Sequence, residues 1–346
     1  MKDGKVMQIK PKHILVIRLS AMGDVAMTIP VLRALTEQYP ELKITVLTRT
    51  FFTPFFRDIN NVTVFPADLK GEHKGVFGLY KLARQLNKEN RFYAIADLHN
   101  VLRSKILKQF IRCKRFVSID KGRKDKRALT KGRLFKQLTT TRQRYANVFA
   151  TLGYPLDLSN PSFPKKADLN ENIEAVVGKD SKTMIGIAPF AAHKGKQYPL
   201  NLMKAVIESL SKEYKVVLFG GGDEETAILN AIASANTGVV NIAGKLSLEE
   251  EMDVISNVEI MLSMDSGNAH MAAMLGVKVI TIWGVTHPYA GFAPFNQPSD
   301  YALLSDRDKY PKIPTSVYGN KYPEGYENAA GSISPETVVE KIKSVI

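Results

Sequence analysis

The chain has 346 residues, of which 45% are hydrophobic and 24% charged, a composition typical of a folded protein with one or two domains rather than a disordered one. Its longest apolar runs fall far short of the roughly 20 residues that cross a bilayer, and its polar, lysine-rich start argues against a signal peptide. A single cysteine, Cys113, excludes an intramolecular disulfide and an all-cysteine metal site, so we expect a reducing cytoplasm.

The formal net charge of +14 is concentrated in one part of the sequence. Residues 91–144 contain 17 Lys and Arg against three acids, Asp97, Asp120 and Asp125. Such a field attracts polyanions, for example nucleic acid, an anionic membrane or a phosphorylated glycolipid, although it could also be a solvated surface that aids solubility. The region lacks the interleaved aromatic residues of RNA-stacking surfaces, so no nucleic acid is expected.

In the first half, short β-branched runs alternate with amphipathic segments, a pattern typical of α/β units with a parallel sheet. We predict strands at 14–19, 44–47, 62–65, 93–96 and 115–118, and helices at 24–38, 76–87, 101–110 and 141–152. The stretch 153–170 contains three prolines and little periodicity, and we interpret it as an interdomain linker.

The second half repeats this rhythm. We predict strands at 183–187, 215–219, 239–242, 259–262 and 278–282, and helices at 200–211, 223–235, 247–256, 266–275 and 334–346. The chain is therefore expected to form two doubly wound parallel-sheet domains. Open α/β sheets bind ligands at the carboxyl ends of their strands, which predicts a cleft between those ends as the place for chemistry.

The first predicted strand runs into Ser20, Ala21, Met22, Gly23 and Asp24, where a helix begins. Gly23 permits an unusual backbone angle or the close approach of a ligand. Asp24 is either an ordinary N-terminal helix residue, which interacts well with the helix dipole, or a general base that faces the cleft. Spacing alone does not separate the two readings.

Two strand ends in the second half have the composition of ligand-binding turns. In "APFAAHKGKQYPL" (188–200), small residues let the backbone approach a ligand, and a lysine such as Lys196 could bind phosphate or simply be solvated. In "LFGGGDEE" (218–225), three glycines precede acids that could accept hydrogen bonds from ribose hydroxyls or lie in the first turn of a helix.

The stretch "SMDSGNAHMAAMLGVKVITIWG" (263–284) places small and polar residues between a strand and a helix. Asp265 and Ser266 can cap the helix, and Gly267 leaves its N–H groups unobstructed, so this helix start is a ready anion site. His270 lies four residues after Ser266, on the same helical face, and is either a structural hydrogen-bonder or a donor to phosphate. The combination favours diphosphate binding.

Several chemistries lack their sequence signatures. The chain has no Walker motif, no HExxH or paired His and Cys at zinc-ligand spacing, and no GxSxG. Its one Asp-x-Asp pair, Asp306 and Asp308, does not follow a predicted strand as a metal-nucleotide clamp would. A metal-free transferase that acts on a phosphorylated donor remains compatible with the sequence, and no cofactor is expected.

Taken in order, these stretches resemble the ADP-heptose:lipopolysaccharide heptosyltransferase family, glycosyltransferase family 9. The resemblance is carried by "ILVIRLSAMGDVAMTIPVLRAL" (14–35), "KQYP" (196–199), "GKLSLEE" (244–250) and "MDSGNAHMAAMLGVKVITIWGVTHP" (264–288). "ADLHN" (96–100) is similar to the strand end on the family's acceptor side. The matches lie in both halves and in the family's order.

The resemblance implies a GT-B fold, in which two Rossmann-like domains face each other across a cleft. The acceptor-binding domain would span 1–165, the nucleotide-sugar-binding domain 166–332, and a last helix within 333–346 would cross back to the N-terminal domain. The implied reaction is an inverting, metal-independent transfer of a sugar onto a lipopolysaccharide core or lipid A-type acceptor, with ADP-heptose as the family's default donor. The basic region would suit a phosphorylated glycolipid, with the enzyme cytoplasmic and in peripheral contact with the inner face of the cytoplasmic membrane.

The resemblance also assigns roles to residues. Asp24 would be the base that takes the proton of the acceptor hydroxyl, and Lys196 would neutralise the leaving diphosphate. The donor would contact Gly222, Glu224 (or Glu225), Leu246, Asp265, Ser266, Gly267 and His270, and the acceptor Ser20, Gly23, Asp97 and His99. Tyr198 replaces the commoner tryptophan, His287 stands where an acid or small polar residue is usual, and residues 310–326 match no motif, so the donor sugar stays open.

Two other functions fit parts of the sequence. A nucleotide-sugar epimerase of the same architecture would need no lipid acceptor, but it would leave the basic N-terminal surface unexplained. A non-catalytic polyanion-binding protein would use the positive charge alone.

Overall fold

The computed structural model of the chain describes residues 12–89 and 91–346. The prediction made for the lysine-rich first residues falls almost entirely on 1–11, outside the described residues. By their contacts the described residues form two compact units. The first unit comprises residues up to 20 together with 31–119 and 145–160, and the second comprises 21–30, 120–144 and 161–346.

The first unit contains a five-stranded sheet in the order β3-β2-β1-β4-β5, with every pair parallel. Its strands are β1 (His13–Ile17), β2 (Lys43–Arg49), β3 (Val62–Ala67), β4 (Phe92–Asp97) and β5 (Cys113–Ser118). The winding reverses between β1 and β4, which makes their carboxyl ends the topological switch point of this sheet.

The second unit contains a six-stranded parallel sheet in the order β11-β10-β9-β6-β7-β8. Its strands are β6 (Met184–Ala188), β7 (Lys215–Leu218), β8 (Val239–Asn241), β9 (Ile260–Met264), β10 (Lys278–Trp283) and β11 (Ala302–Leu304). Here the switch point lies between β6 and β9. The predicted class of doubly wound parallel sheets is confirmed.

Helices connect the strands of both sheets. They are α1 (Met22–Ala26), α2 (Ile29–Gln38), α3 (Gly75–Glu89), α4 (Leu102–Phe110), α5 (Arg123–Thr130), α6 (Thr141–Leu152), α7 (Glu171–Val177), α8 (Leu200–Ser211), α9 (Asp223–Ala235), α10 (Leu248–Asn257), α11 (Gly267–Met274) and α12 (Pro335–Val345). None of the described helices is long and apolar enough to cross a membrane.

The predicted helix at 24–38 is two helices, α1 and α2. Pro30 is the second residue of α2, where a proline ring fits the first turn, but it would break a longer helix because it lacks an N–H. The hydroxyl of Thr28 donates to the carbonyl of Val25 at 2.7 Å and closes the end of α1. This break leaves α1 as a separate turn that groups with the second unit.

The sequence pattern does not predict three of the elements, namely α5, α7 and β11. Helix α5 is rich in charged residues and buries only Leu129, so it shows no apolar periodicity. Strand β11 is only three residues long and lies at a sheet edge. The contacts also differ from the proposed domain boundaries, because 120–144 groups with the second unit; those boundaries stay a prediction.

The last helix, α12, was expected to cross back to the N-terminal domain. Its buried residues Val338 and Ile342 belong to the hydrophobic core of the second unit, and the crossing back stays a prediction. Lys341 also pairs with Asp300 there, at 3.0 Å. The contacts shown for this helix therefore lie within the second unit, since its apolar stripe completes that core.

Candidate functional site

An ion pair spans the switch point of the second sheet. Lys196 ends a 3-10 helix, Lys194–Lys196, that follows β6, and Asp265 directly follows β9. Strands β6 and β9 are neighbours, so their carboxyl ends bring the two side chains together. Lys196 Nζ lies 2.7 Å from Asp265 Oδ2 and also donates to the Asp265 carbonyl at 3.2 Å.

Asp265 is further held by the neighbouring strand end. The hydroxyl of Thr286, which follows β10, donates to Asp265 Oδ2 at 2.9 Å. Asp265 is buried, whereas the side chain of Lys196 keeps 16% of its surface exposed. The carboxylate thus fixes the ammonium group, and the ammonium group keeps an open side on which an anion could bind.

Glycines leave room for the aliphatic part of the Lys196 side chain and for the backbone beside it. A Cβ at Gly319 would lie 2.5 Å from Lys196 Cγ, and a Cβ at Gly284 would collide with the carbonyl oxygen of Gly195. The N–H of Val285 donates to that same carbonyl at 2.7 Å. Gly319 lies in the 310–326 stretch that matched no motif, so this stretch forms part of the wall around the lysine.

The start of α11 is built without a side-chain cap. Ser266 is the N-cap residue, but its hydroxyl makes no capping hydrogen bond. It lies 3.0 Å from the hydroxyl of Ser263. The expected cap by Ser266 is therefore absent, because its hydroxyl pairs with that of Ser263. The Ser266 side chain thus leaves the N–H groups of the first turn of α11 without a capping acceptor.

His270 is buried on α11. Burial lowers its pKa to about 4, the carboxylates of Asp265 and Asp24 oppose this shift, and the cations Lys196 and Arg142 add to it. Its ring is therefore neutral at pH 7 and carries one N–H. Its Nδ1 is buried and has no hydrogen-bond partner among the described residues.

Helix α1 packs against α11 through small residues. A Cβ at Gly23 would lie 2.8 Å from His270 Cδ2, and a Cβ at Gly267 would lie 2.9 Å from Met22 Sδ. Both positions therefore require glycine for close approach. Asp24, the third residue of α1, is half-buried, and the electrostatic effect on His270 places its carboxylate in the same neighbourhood.

The two readings of Asp24 are compatible. Its Oδ2 accepts a hydrogen bond from the N–H of Ala21, but at 3.4 Å this bond is long. The carboxylate therefore stabilises its own helix start weakly. The structure brings Asp24 close to His270, and Lys196 to Asp265, within the second unit.

Two residues of this neighbourhood had not been singled out. Thr286 could have been found because it follows β10 as Asp265 follows β9. Arg142, by contrast, is one cation among many in the basic region. Its guanidinium donates to the carbonyl of Ala293 at 3.0 Å, and burial lowers its pKa.

Tyr198 of the "KQYP" stretch is an anchor between elements. Its buried hydroxyl donates to the carbonyl of Ile333 at 2.8 Å, which ties the segment before α8 to the segment before α12. Burial, and secondarily the charge of Glu336, raises its pKa to about 12. The phenol therefore stays protonated and keeps its hydrogen bond.

A cavity of about 480 Å³ opens at the carboxyl ends of β6 and β7. Its lining includes Phe190, Tyr198, Glu224 and Glu225. Glu225 Oε2 also accepts from the N–H of Gly221 at 2.9 Å, so that carboxylate is oriented by its own loop. Carboxylates at a strand end are suited to ribose hydroxyls.

Of the predicted donor residues, only Glu224 lines this cavity; four of the others lie at the start of α11, and the remaining two are Gly222 and Leu246. Gly222 is the N-cap of α9 and has φ +80°, a backbone conformation that favours glycine. Leu246 is half-buried in the turn between β8 and α10. The structure therefore groups Glu224 with the cavity and leaves Gly222 and Leu246 outside its lining.

On the acceptor side, Asp97 is the last residue of β4 and fully buried. Its two oxygens accept four hydrogen bonds, from the N–H groups of His99 and Asn100 and from the hydroxyls of Ser104 and Ser118, at 2.8–3.1 Å. These hydrogen bonds engage the carboxylate within its own turn and with Ser118, and the contact of Asp97 with an acceptor stays a prediction. His99 is buried beside it, and Ser20 is half-buried three residues after β1.

Within residues 12–89 and 91–346, no three His, Cys, Asp or Glu side chains form a group that could hold a metal ion. Positive charge near His270, at the start of α11, comes from the side chains of Lys196 and Arg142.

Comparison with known proteins identifies the family. The family model "Glycosyltransferase family 9 (heptosyltransferase)" matches residues 79–320. The chain is 27% identical to the lipopolysaccharide core heptosyltransferase OpsX of Haemophilus influenzae, over 83% of this chain and 82% of that protein. It is 20% identical to a lipooligosaccharide heptosyltransferase 2 of Campylobacter jejuni, over 94% and 96%.

Solved structures agree on the fold. The glycosyl transferase family 9 structure from Veillonella parvula superposes with a TM-score of 0.77 at 20% identity and covers 98% of both chains. The E. coli heptosyltransferase WaaC with ADP gives a TM-score of 0.69 at 17% identity, over 96% of this chain and all of that one. These neighbours have the GT-B fold, which confirms the predicted architecture of two Rossmann-like domains. The chain belongs to glycosyltransferase family 9 and is a glycosyltransferase.

Proposed function

We propose that this enzyme transfers heptose from ADP-heptose to a lipopolysaccharide core or lipid A-type acceptor, with inversion at the anomeric carbon and without a metal ion. The names of its relatives support the sugar and the pathway, since they are lipopolysaccharide and lipooligosaccharide heptosyltransferases. One structural neighbour carries ADP-2-deoxy-2-fluoro heptose. The observation that carries the proposal is the grouping of Asp24, Lys196 and His270 around the start of α11.

In the proposed step, an acceptor hydroxyl oxygen bonds to the anomeric carbon while the bond from that carbon to the diphosphate oxygen breaks. The hydroxyl proton passes to the Asp24 carboxylate, and ADP leaves with the bonding electron pair. Negative charge then develops on the diphosphate. Preorganised donors at that position lower the barrier because they interact more strongly with the developing charge than with the bound donor.

Lys196, the N–H groups at the start of α11 and neutral His270 are the proposed donors to the diphosphate. The pairing of Lys196 with Asp265 places the ammonium group before the substrate arrives, which limits the reorganisation needed during the reaction. A neutral His270 can offer one N–H to a phosphate oxygen and accept on its other nitrogen. We place the nucleoside toward the cavity that contains Glu224 and Glu225.

For the acceptor we propose a phosphorylated glycolipid in contact with a membrane surface. The basic region 91–144 is proposed to attract the phosphates of this acceptor through its excess of positive charge. Asp97 would act indirectly here, since it holds the turn that carries His99.

The test incubates the purified enzyme with ADP-heptose and, separately, with other ADP-activated sugars, each with truncated lipid A-core acceptors. Mass spectrometry would then show which acceptor gains a sugar. We expect a heptose adduct, and we expect it to persist in the presence of a metal chelator. A heptose adduct that disappears with chelator would contradict metal independence.

No adduct from ADP-heptose together with an adduct from another sugar would overturn the proposed donor. Conversion of a nucleotide-sugar in the absence of any acceptor would instead favour an epimerase. In parallel, thermal-shift measurements should show stabilisation by ADP and its sugar conjugates, because ligands that bind only the folded state raise the melting temperature.

A further inference from the structure

Residues 315–321 of the second unit form a turn that its own side chains close. The hydroxyl of Thr315 donates to the carbonyl of Lys321 at 2.8 Å. The hydroxyl of Ser316, which is buried, accepts from the N–H of Gly319 at 3.1 Å. Side-chain hydroxyls that bond to nearby backbone groups fix the shape of such turns. These residues are called the 315–321 turn below.

The backbone of the 315–321 turn is tied to the segment that carries Lys196. The N–H of Thr315 donates to the carbonyl of Val285 at 3.0 Å, and the N–H of Val285 donates to the carbonyl of Gly195 at 2.7 Å. Val285 is fully buried and packs in one cluster with Ile313, just before the turn. The turn therefore has a fixed position relative to the residue that precedes the lysine.

Gly319 covers the near end of the Lys196 side chain. A Cβ at Gly319 would lie 2.5 Å from Lys196 Cγ and 3.3 Å from both Cδ and Cε. The turn thus contacts three successive methylene groups. Because Cγ is the second atom of the side chain, it can yield only by rotation about the Cα–Cβ bond, and this rotation would move the whole chain. Gly319 also has φ +76°, a conformation that favours glycine.

The far end of the same side chain is held as well. The Nζ atom lies 2.7 Å from Asp265 Oδ2 and donates to the Asp265 carbonyl at 3.2 Å. A free lysine side chain loses much conformational entropy when a ligand orders it. Since Lys196 is confined at both ends, it loses less of this entropy when it meets an anion.

We propose that Gly319 is a positioning residue for the sugar transfer, because the 315–321 turn confines the aliphatic chain of Lys196 and so directs its ammonium group to the diphosphate. This inference rests on the proposed function, in which Lys196 binds the leaving diphosphate. It also gives a role to the stretch 310–326, which carries no motif of the family.

The test compares Gly319→Ala with Gly325→Ala, its matched control. Both glycines lie in the same stretch and have similar backbone angles, φ +76° and +81°, so alanine suffers the same strain at each. Only at Gly319 does the new Cβ meet Lys196, since nothing lies within 4 Å of a Cβ at Gly325. The difference between the two variants therefore measures the contact with the lysine.

Calorimetry with ADP and thermal unfolding are the two readouts. Gly319→Ala should raise the Kd for ADP about tenfold, because the lysine chain is displaced from the diphosphate. Its melting temperature should fall about 4 °C further than that of Gly325→Ala, because the new methyl group overpacks the turn. Gly325→Ala should bind ADP as the wild type does. Equal Kd values for the two variants would overturn the proposal.

The same pair is then measured in a Lys196→Ala background, where the Cγ atom is gone. Gly319→Ala should raise the Kd for ADP no further there, and its excess loss of melting temperature over Gly325→Ala should disappear, since residues in contact have non-additive effects. A merely structural role of Gly319 would predict the same rise of Kd in both backgrounds. That result would contradict positioning through Lys196.

Ser316→Ala decides the matter if Gly319→Ala does not fold. The change removes the hydroxyl that fixes the 315–321 turn but adds no bulk beside Lys196, so the Kd for ADP should rise about threefold. Ser316→Thr keeps the hydroxyl and should restore the wild-type value. An unchanged Kd in Ser316→Ala would show that the turn does not position the lysine.

The proposed function is checked separately by transfer of heptose by the wild type. Transfer by the wild type together with equal ADP affinities of Gly319→Ala and Gly325→Ala would refute the positioning role and leave the function standing. Absence of transfer together with weaker ADP binding by Gly319→Ala alone, and its loss in the Lys196→Ala background, would refute the function and leave the positioning role standing.

Discussion

In chain order, the fourth strand of the first sheet ends in an aspartate and the fourth strand of the second sheet is directly followed by one, and the two carboxylates make different contacts. Asp97 ends β4 and turns its oxygens onto the N–H groups and hydroxyls of its own turn and the adjacent strand end. Asp265 follows β9 and reaches instead to Lys196 across the switch point and to Thr286 of the next strand. Similar positions in the two sheets therefore have different roles. The carboxylate of Asp97 stabilises its own turn, and the carboxylate of Asp265 positions the ammonium group of Lys196.

The difference lies in the donors that each carboxylate finds. Neutral donors satisfy Asp97 completely, so nothing at that position is left to meet a charged ligand. A cation satisfies Asp265, and a lysine that is paired on one side can still bind an anion on the other. The sheet topology places an aspartate at each switch point, and Lys196, which follows β6, makes the second of these positions suitable for binding an anion.

The largest effect is expected away from both strand ends, at Asp24. Replacement Asp24→Asn removes the proposed base but keeps the side-chain size, so the transfer rate should fall about a thousandfold. ADP binding, measured by calorimetry, should be unchanged. A variant that transfers sugar at the wild-type rate would refute the base assignment. A variant that loses ADP binding would place Asp24 on the donor instead.

Asp97→Ala tests whether the first aspartate is structural. The change leaves two backbone N–H groups and two hydroxyls without their acceptor in a buried turn, so the free energy of unfolding should drop by about 3 kcal/mol. Denaturant titration measures the drop. At a temperature where the variant is folded, its KM for the acceptor should stay close to that of the wild type. A raised KM without loss of stability would restore Asp97 as a contact residue.

Lys196→Gln tests whether the lysine that Asp265 positions binds the diphosphate. The variant loses the charge that faces the diphosphate, and its Kd for ADP should rise about thirtyfold, which corresponds to about 2 kcal/mol. Lys204→Gln is the control, because it removes the same charge from the exposed surface of α8 in the same unit. Equal affinities of the two variants would show that Lys196 acts through global charge only.

Hydrophobic periodicity and turn residues predicted most of the fold. Helices α8 and α9 were predicted with the bounds that the structure shows, because apolar residues recur at helical spacing and Pro199 or Gly222 precedes the start. Helix α5 could not be predicted in this way, since Leu129 is the one residue it buries and its other positions form no apolar stripe. The split at Pro30 follows from proline chemistry rather than from the apolar pattern.

The candidate site was predictable at the level of motifs but not of partners. Spacing placed Asp265 and His270 at one helix start, yet it could not reveal that Asp265 pairs with Lys196, 69 positions away. The same limit hid the role of Gly319, whose contact with Lys196 depends on how a distant loop folds. Asp97 looked like a ligand for the same reason: its four donors are supplied by the folded turn and by Ser118 of the next strand.

The smallest expected effect concerns pH and His287, which follows β10 at the same edge as Asp265. Burial, and then the charge of Arg307, lowers the pKa of His287 to about 4, and its Nδ1 accepts from the N–H of Tyr289 at 3.1 Å. Because the unfolded chain takes up a proton near pH 6.5 and the folded one does not, this group's contribution is complete above pH 6.5 and is lost as the pH falls toward 4.

Between pH 7 and pH 5 the wild type should therefore lose about 2 kcal/mol more unfolding free energy than His287→Gln, as measured by urea titration at each pH. Glu251 acts in the opposite direction over this window, since burial raises its pKa to about 7 and its contribution fades as the pH rises. It is present in both proteins, and so is His270, so the difference between the two curves isolates His287. Parallel curves would mean that His287 takes up a proton as readily in the folded protein as in the unfolded chain, so that the carboxyl edge of the second sheet accommodates this charge despite the burial of the ring.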